Sequence, residues 1–395
     1  MPDDRKPIRI LHVVGGMGRG GAEMWLMHML RRMDPALFHM DFLVHTEEPR
    51  AFDDEIRALG SLVHPCMHPR QPFDYAQNFH RIVREHGPYE VVHSAVHHFS
   101  GYVLRLAAQC GIPGRIAHSH NTSSGMDRSE RFARRMYLRV MERWVRQYAT
   151  AGLACSSPAA AALFGDNWIE DPRWEVHYPS TDLAPFRARI SSGEVRDEFG
   201  IPDNAFVIGH VGRFDHQKNH RFLIRLANEA LARDSNAWLL LIGDGPLRAE
   251  IMESASQSAY GERIVFTGPR SDVPRLMMGA MNVLTMPSLH EGLPLVLVEA
   301  QAAGLPIVIS DVITAEAGVV KPLVMRLSLS EAAGKWAEAI LSWKDRTRLP
   351  RAEALAEITA SPFNVENAVA DLEQVYARSC GRDSSRTSHS RSLVS

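Results

Sequence analysis

Glu291 and Glu299 stand eight residues apart in Ser288-Leu289-His290-Glu291-Gly292-Leu293-Pro294-Leu295-Val296-Leu297-Val298-Glu299, with a glycine, a proline and an apolar run between them. Two carboxylates can serve as a general acid and base. They can also act as acceptor-only grips on a long polar ligand, one at its end and one at its middle. The flanks indicate how they are held. Met281-Asn282-Val283-Leu284-Thr285-Met286 reads as a buried strand. Pro294 suits a first helical turn, Gly304 suits the residue past the helix end, and Pro306 blocks continuation. Ile307-Val308-Ile309 is then the next strand. Glu291 is therefore expected on a loop at the carboxyl end of a strand, where open α/β sheets bind ligands. Glu299 falls about 7.5 Å further along its helix than Pro294, at about 1.5 Å per residue.

A basic pair offers complementary chemistry. Arg213 and Lys218 lie in Gly212-Arg213-Phe214-Asp215-His216-Gln217-Lys218-Asn219, directly after the apolar run Phe206-Val207-Ile208-Gly209-His210-Val211. An arginine fork and a lysine point charge at a strand end can neutralise a diphosphate. An isolated pair of this kind is more often a solvated surface feature. Its occurrence on the same expected sheet edge as Glu291 favours the binding role.

The third element is glycine-rich. Ile8-Arg9-Ile10-Leu11-His12-Val13-Val14 reads as a strand, Gly15-Gly16-Met17-Gly18-Arg19-Gly20-Gly21 as its turn, and Ala22 to Arg32 as a helix. Gly16, Gly18 and Gly21 satisfy the dinucleotide spacing G-x-G-x-x-G, with Asp41 twenty residues further on. That fingerprint wants its acid at the end of the second strand, whereas Asp41 precedes the apolar Phe42-Leu43-Val44. A broader reading is a set of backbone amides at a helix start awaiting an oxyanion or a sugar. Tight strand–helix packing would use such glycines too.

These pieces sit in a repeating rhythm. Strands at Val91-Val92-His93, Arg115-Ile116-Ala117, Thr150 to Ala154 and Glu175-Val176-His177 alternate with helical patterns, and the rhythm restarts near residue 205. Leu239 to Ile242 and Ile264 to Phe266 continue the second series. Alternation of this kind means parallel sheets covered on both faces. The expected fold class is α/β with two Rossmann-like, doubly wound halves, joined at a polar region near Pro179 to Phe186. Helices are expected at Glu331–Trp343, Ala352–Ile358 and Val365 to about Arg378, and residues 381–395 read as a disordered Ser/Arg-rich tail.

Together these motifs resemble the retaining glycosyltransferases of family 4, most nearly the subgroup of exopolysaccharide and capsule gene clusters. The resemblance spans nearly all of residues 8–379. Its Glu-x7-Glu signature matches Glu291 and Glu299, and its Gly-Arg and Gln-Lys-Asn motifs match Gly212-Arg213 and Gln217-Lys218-Asn219. Gly15 to Glu23, Ile242-Gly243-Asp244-Gly245-Pro246-Leu247 and Arg115-Ile116-Ala117-His118-Ser119-His120-Asn121-Thr122 also match. The resemblance implies the GT-B architecture, two domains facing across a cleft: residues 1–185 on the acceptor side, 186–360 on the donor side, and a helix at 361–380 crossing back.

The implied activity is sugar transfer from a UDP- or GDP-linked donor to a glycan or lipid-linked acceptor, with retention. Arg213 and Lys218 would hold the diphosphate. Glu291 would face the donor sugar beside the Gly292 and Leu293 amides, and Glu299 would bind the ribose. Gly212 and Gly16 would line the donor phosphates, with Gly15, Arg19 and His118 on the acceptor side. His120 matches a histidine beside the reacting sugar, and His118 and His93 compete for that role. No metal or other cofactor is expected, because no Asp-x-Asp stands at a strand end and two cations can replace a metal's charge. The chain departs from the pattern at His177-Tyr178-Pro179-Ser180-Thr181-Asp182, at Asn282 and at His290, which leaves the donor motifs intact.

Residues 127–148 carry Arg128, Arg131, Arg134, Arg135, Arg139, Arg143 and Arg146 interleaved with Phe132, Met136, Tyr137, Val140 and Trp144. A basic helix with an apolar face can lie on anionic lipid, and it can equally be a core-facing helix with a solvated side. Composition sets the remaining bounds. With 395 residues, 45% hydrophobic and 23% charged, the chain suits two globular domains. A net charge of −2 gives no reason to expect nucleic acid. Four scattered cysteines suit a reducing compartment. No signal peptide or membrane span is read, so a cytoplasmic protein is expected, with a membrane surface as a further partner. Two alternatives remain open: an NAD-dependent oxidoreductase built on Gly16, Gly18 and Gly21, and a non-catalytic sugar-nucleotide-binding protein.

Overall fold

The computed structural model describes residues 6–18, 20–67, 71–120, 132–347 and 349–382. Arg19, Asn121, Thr122, Arg128, Arg131 and residues 383–395 of the expected tail lie outside the described residues. The chain divides into two compact units. One runs to Ser180 and resumes at Val365; the other is Thr181–Asn364.

The first unit holds seven strands: β1 (Ile8–Val14), β2 (Phe38–Val44), β3 (Val63–Pro65), β4 (Val91–Ser94), β5 (Gly114–Ser119), β6 (Ala151–Ala154) and β7 (Trp174–Val176). They pair in the order β3-β2-β1-β4-β5-β6-β7, all parallel. The second unit holds β8 (Phe206–Val211), β9 (Ala237–Ile242), β10 (Ile264–Gly268), β11 (Val283–Met286), β12 (Ile307–Ser310) and β13 (Val324–Leu327), in the order β10-β9-β8-β11-β12-β13. Both sheets reverse direction of winding once, between β1 and β4 and between β8 and β11. Such a switch point leaves a crevice at the strands' carboxyl ends, because the connections depart to opposite faces. The short edge strands β3 and β13 carry too little apolar sequence to stand out in the chain, and sequence reading passes over them.

Alternating side chains build two cores around the first sheet. Ile8, Ile10 and Val14 join Trp25 and Leu26 of the helix Gly21–Arg32 and Val369, Leu372 and Tyr376 of the C-terminal helix Val365–Ser379. Leu11 and Val13 face the other way, onto Phe79, Leu104 and Val145. The first face breaks the usual rule for a parallel sheet. His12 on β1, His93 on β4 and His118 on β5 occupy positions where an apolar side chain is the norm, and all three are buried. His12 and His93 are direct cross-strand partners.

Burial drives these imidazoles toward the neutral form. It holds His12 down to about 3, with a further push from His120. Burial also lowers His120 and His177 to about 4. An unfolded chain takes up these protons near pH 6.5, so below that pH it binds more protons than the fold does. Stability is therefore full above about pH 6.5 and is lost as pH falls toward about 4. Urea unfolding followed at stepped pH should show the midpoint dropping through this window more steeply than one histidine explains. A midpoint flat between those limits would contradict it.

Candidate functional site

The strongest convergence lies at the switch point of the second sheet. Strand β8 ends in the turn Gly212–Asn219, and β11 exits into Pro287–Glu291. Backbone and side-chain bonds fasten the two exits together. Leu289 N donates to Gln217 O at 2.8 Å, and Asn219 Nδ2 donates to Pro287 O at 3.1 Å. Asn219 adopts the left-handed region, φ 56°, which asparagine tolerates, and it starts the helix His220–Arg233. The neighbouring turn after β9 is locked in as well. Gly243 sits at φ 139°, and a Cβ there would collide with Gly212 O, so only glycine fits.

On this frame Lys218 Nζ donates to Glu291 Oε1 at 2.6 Å and Gln217 Nε2 donates to Glu291 Oε2 at 3.0 Å. The pair is largely buried, with side chains 15% and 7% exposed. Arg213, on the same turn, is exposed and makes no side-chain ion pair among the described residues. Beneath them His210 is fully buried. Its Nδ1 donates to Thr285 O at 2.9 Å, and burial holds the ring neutral, so Nε2 is left as an acceptor. That Nε2 and Lys218 Cε each lie 3.3 Å from where a Gly212 Cβ would stand. A side chain at position 212 would press on both.

The helix carrying the second carboxylate is Leu295–Ala302, one residue later than the sequence suggests. Pro294 is its extended N-cap rather than its first turn, because Leu297 N already bonds Pro294 O at 3.1 Å. Gly304 at φ 67° closes the helix. Glu299 is partly buried and accepts from Thr181 Oγ1 at 3.0 Å. Burial raises its pKa, and the Thr181 hydrogen bond opposes the rise. Gly292 is partly exposed and Leu293 is buried beside it.

In the first unit the glycine turn follows β1 at that sheet's own switch point. None of its described glycines has a positive φ, so the turn does not use them for left-handed backbone. Gly16 packs closely, its Cβ position 3.1 Å from Thr46 Cγ2, while Gly15, Gly18 and Gly21 border open space. Asp41 corrects the dinucleotide reading. It sits in the middle of β2, not at its end, and is fully buried. Arg9 and Tyr89 hold one oxygen, at 2.9 and 3.0 Å, and Leu62 N and His39 reach the other. Burial pushes its pKa up, but the hydrogen bonds from His39, Leu62 N and Tyr89, with the His39 charge, outweigh this and lower it to about 2. Such an acid is a structural anchor with no capacity left for a ribose.

His118 and His120 lie face to face, ring centroids 3.9 Å apart, at the end of β5. Both pack against Trp25, as does His177 just past β7. His93 Nε2 bonds His118 Nδ1 at 3.0 Å. The structure thus brings together His93, His118 and His120, and separately Lys218 and Glu291, with Gly212 and Arg213 on the same turn as Lys218. Gln217, Thr181, His210, His177, Trp25 and Tyr376 were not singled out as site residues. A histidine inside an apolar strand run is the signal that could have found His210. Among the described residues no group of three or more His, Cys, Asp or Glu side chains is arranged to hold a metal ion.

Comparison with known proteins places this geometry. Residues 191–359 match the family "Glycosyl transferases group 1", and residues 20–179 match "Glycosyl transferase 4-like domain". The chain is 38% identical over 387 residues to EpsF of Bacillus subtilis (strain 168), a protein named as a glycosyltransferase, covering 96% of this chain and 98% of that one. It is 25% identical over 231 residues to an Escherichia coli UDP-Gal:alpha-D-GlcNAc-diphosphoundecaprenol alpha-1,3-galactosyltransferase, covering 57% and 58% of the two chains. Anabaena HepE, solved in complex with UDP, superposes with a TM-score of 0.76 at 20% identity, covering 94% of this chain and 100% of that one. The chain belongs to the group 1 glycosyltransferases with a family 4-like N-terminal domain, and its two parallel-sheet α/β units are those of the GT-B fold. Nothing in this kinship supports an NAD-dependent oxidoreductase.

The buried ion pair yields a direct test. Lys218→Met removes the cation and leaves the Glu291 charge largely desolvated, with the Gln217 amide still donating to it. Loss of a partner in such a pair costs about 2–3 kcal/mol. Denaturant titration should show this, and adding Glu291→Gln should restore part of it.

Proposed function

We propose that this glycosyltransferase takes a sugar from a UDP- or GDP-linked donor and moves it, with retention at the anomeric carbon, to a glycan or lipid-linked acceptor. The setting is exopolysaccharide, capsule or lipopolysaccharide synthesis, where relatives such as the capsular polysaccharide glycosyltransferase of Staphylococcus aureus work. The observation that carries the donor side is the meeting of Lys218, Gln217 and Glu291 at the β8/β11 switch point, with Arg213 exposed on the same turn. An ammonium has three donors, so Lys218 can keep Glu291 and still donate to a phosphate oxygen. Negative charge builds on the diphosphate as the glycosyl bond lengthens, and the held Lys218 with Arg213 on the same turn stabilises that charge more than the ground state. This makes a metal unnecessary, and activity should survive chelation by EDTA.

Glu291 then accepts a donor-sugar hydroxyl beside the Gly292 and Leu293 amides. Glu299 keeps one oxygen on Thr181 and offers the rest of its lone pairs to the ribose. Retention rests on the match to the family's Glu-x7-Glu spacing. Gly16 lines the donor phosphates, His120 faces the reacting sugar, and Gly15 and His118 serve the acceptor side, where the open space beside Gly15 leaves room for a sugar or phosphate. HepE has also been solved with UDP-glucose, which favours a uridine donor. The E. coli relative's diphosphoundecaprenol substrate favours a lipid-linked acceptor.

A lipid-linked acceptor calls for a membrane surface, and the helix Phe132–Tyr148 supplies a candidate. Met136, Tyr137 and Val140 are exposed together, flanked by exposed Arg135, Arg139 and Arg143. Trp144 does not share this face, since it packs on Tyr102 and under Arg105. No described helix is long and apolar enough to cross a membrane, so the attachment proposed is peripheral, at the cytoplasmic face. Cosedimentation should show binding to phosphatidylglycerol vesicles and little to phosphatidylcholine, with Arg135→Glu/Arg139→Glu abolishing it. Equal binding of that variant would refute the role.

The central test is a thermal-shift panel of UDP, GDP, ADP and NAD, followed by transfer and donor-hydrolysis assays. A nucleoside diphosphate should stabilise the protein and NAD should not. Stabilisation by NAD alone would overturn the reading, and donor binding without transfer or hydrolysis would leave a binding protein. Glu299→Ala should weaken UDP or GDP binding about tenfold, the worth of a hydrogen bond to a charged group, with the melting temperature of the free protein little changed.

A further inference from the structure

The proposed chemistry uses His120, yet the histidine ladder beneath it extends to the far end of the chain. Tyr376 of the C-terminal helix Val365–Ser379 is fully buried. Its Oη lies 2.9 Å from His93 Nδ1 and 3.1 Å from His12 Nε2. His93 Nε2 lies 3.0 Å from His118 Nδ1. Four side chains from β1, the last helix, β4 and β5 therefore form one hydrogen-bonded chain. Burial holds His12, His93 and His118 far below the ordinary histidine range, so each ring carries a single proton at neutral pH.

A chain of neutral rings linked through one hydroxyl has two consistent directions. In the first, His12 Nε2–H donates to Tyr376, Tyr376 O–H donates to His93 Nδ1, and His93 Nε2–H donates to His118 Nδ1. His118 then bears its proton on Nε2. In the second every bond is reversed, and the proton at the end of the chain is on His12 Nδ1. Any mixed arrangement strands a buried O–H or sets two lone pairs against each other. The ends decide between the two. Neither His12 Nδ1 nor His118 Nε2 has a protein partner among the described residues. His12 lies inside β1, stacked at 5.5 Å on Phe42, where a stranded N–H has no acceptor to find. His118 lies near the carboxyl end of β5 against His120, the side on which ligand oxygens approach an open sheet. Either direction leaves one end as an N–H and the other as a bare acceptor, so the N–H belongs at the end that faces the ligand side.

We propose that Tyr376 is a positioning residue for sugar transfer: its hydroxyl joins His12 to His93, so that the direction set at the ends runs through to His118 and holds it as the Nε2–H tautomer with its ring packed on His120. The proposal rests on the reading that His120 faces the reacting sugar. A tyrosine at residue 376 would thus control a pair of rings at the end of β5 through His93, without touching substrate. His118 fixed in one tautomer presents one constant surface to His120, and His120 keeps one ring orientation through the transfer step.

The test is long-range proton–nitrogen NMR on the full chain labelled at histidine, with transfer kinetics alongside. In the wild type the His118 resonance should show protonated Nε2 and bare Nδ1. Tyr376→Phe keeps the ring and removes the hydroxyl. It should mix the His118 tautomers and lower kcat about tenfold, while KM for the donor changes less than about twofold, the split expected of lost orientation. A wild-type His118 protonated on Nδ1 overturns the proposal, and so does a Tyr376→Phe protein with mixed tautomers and unchanged kcat. Should the variant fail to fold, the wild-type tautomer decides alone. A wild type that transfers sugar from no donor defeats the proposed function and the positioning role with it, whereas the tautomer spectrum still decides the direction of the chain.

Discussion

The second unit depends on a charge that the fold has taken out of water. Glu291 is 9% exposed, on a loop, with Lys218 at 2.6 Å and Gln217 at 3.0 Å. Desolvating a carboxylate costs more than one Coulombic partner returns unless its other lone pairs are satisfied too. Everything nearby serves that condition. Asn219 and Leu289 tie the two strand exits together, Gly243 lets the next turn close against Gly212, and His210 fills the floor in its neutral form. A loop held so firmly is unusual for a loop, and it is what a site needs if its charges are to be in place before the ligand arrives.

The sequence made this frame readable because its parts have strong local grammar. Buried parallel strands are continuous apolar runs, and glycine and proline punctuate the turns between them, so nearly every long strand can be inferred, whereas the strand order that makes the two switch points comes from the fold. The carboxylates and the basic turn followed, since chemistry at an open α/β sheet collects at strand ends. Legibility failed where structure comes from partners distant in the chain. The anchoring of Asp41 is hidden in the sequence because Arg9, Leu62 and Tyr89 stand 32, 21 and 48 residues away from it. Trp144 looked like part of a lipid-facing stripe because helical spacing does not reveal Tyr102 and Arg105 on a neighbouring helix.

The histidines show the same limit from the other side. Each one, read alone, is a polar residue in an apolar run and looks like an isolated tolerance. Only the register of β1 against β4, and the return of the C-terminal helix to the first unit, show them to be links in one chain. A parallel-sheet core built from aliphatic side chains would be more stable at low pH and simpler to pack. A fold that keeps five imidazoles around one tryptophan and one tyrosine accepts a cost that packing does not return, as expected of a face with the role in transfer proposed for it.

Thr181 joins these themes, because it begins the second unit. Its amide bonds Phe363 O at 2.9 Å and its backbone bridges Asn364, so the unit's two ends are clasped. Its hydroxyl holds Glu299 at 3.0 Å. The carboxylate assigned to the ribose is therefore braced by the residue at which the chain enters the unit. Any strain that opened the clasp would free Thr181 to rotate and leave Glu299 buried with one hydrogen bond fewer. Its pKa, already raised by burial, would rise further and weaken it as an anionic acceptor. Under the ribose role proposed for Glu299, nucleotide affinity and the integrity of the clasp would be linked through a single hydroxyl, and linkage is reciprocal: a ribose on Glu299 would stabilise the ends of the unit that holds it.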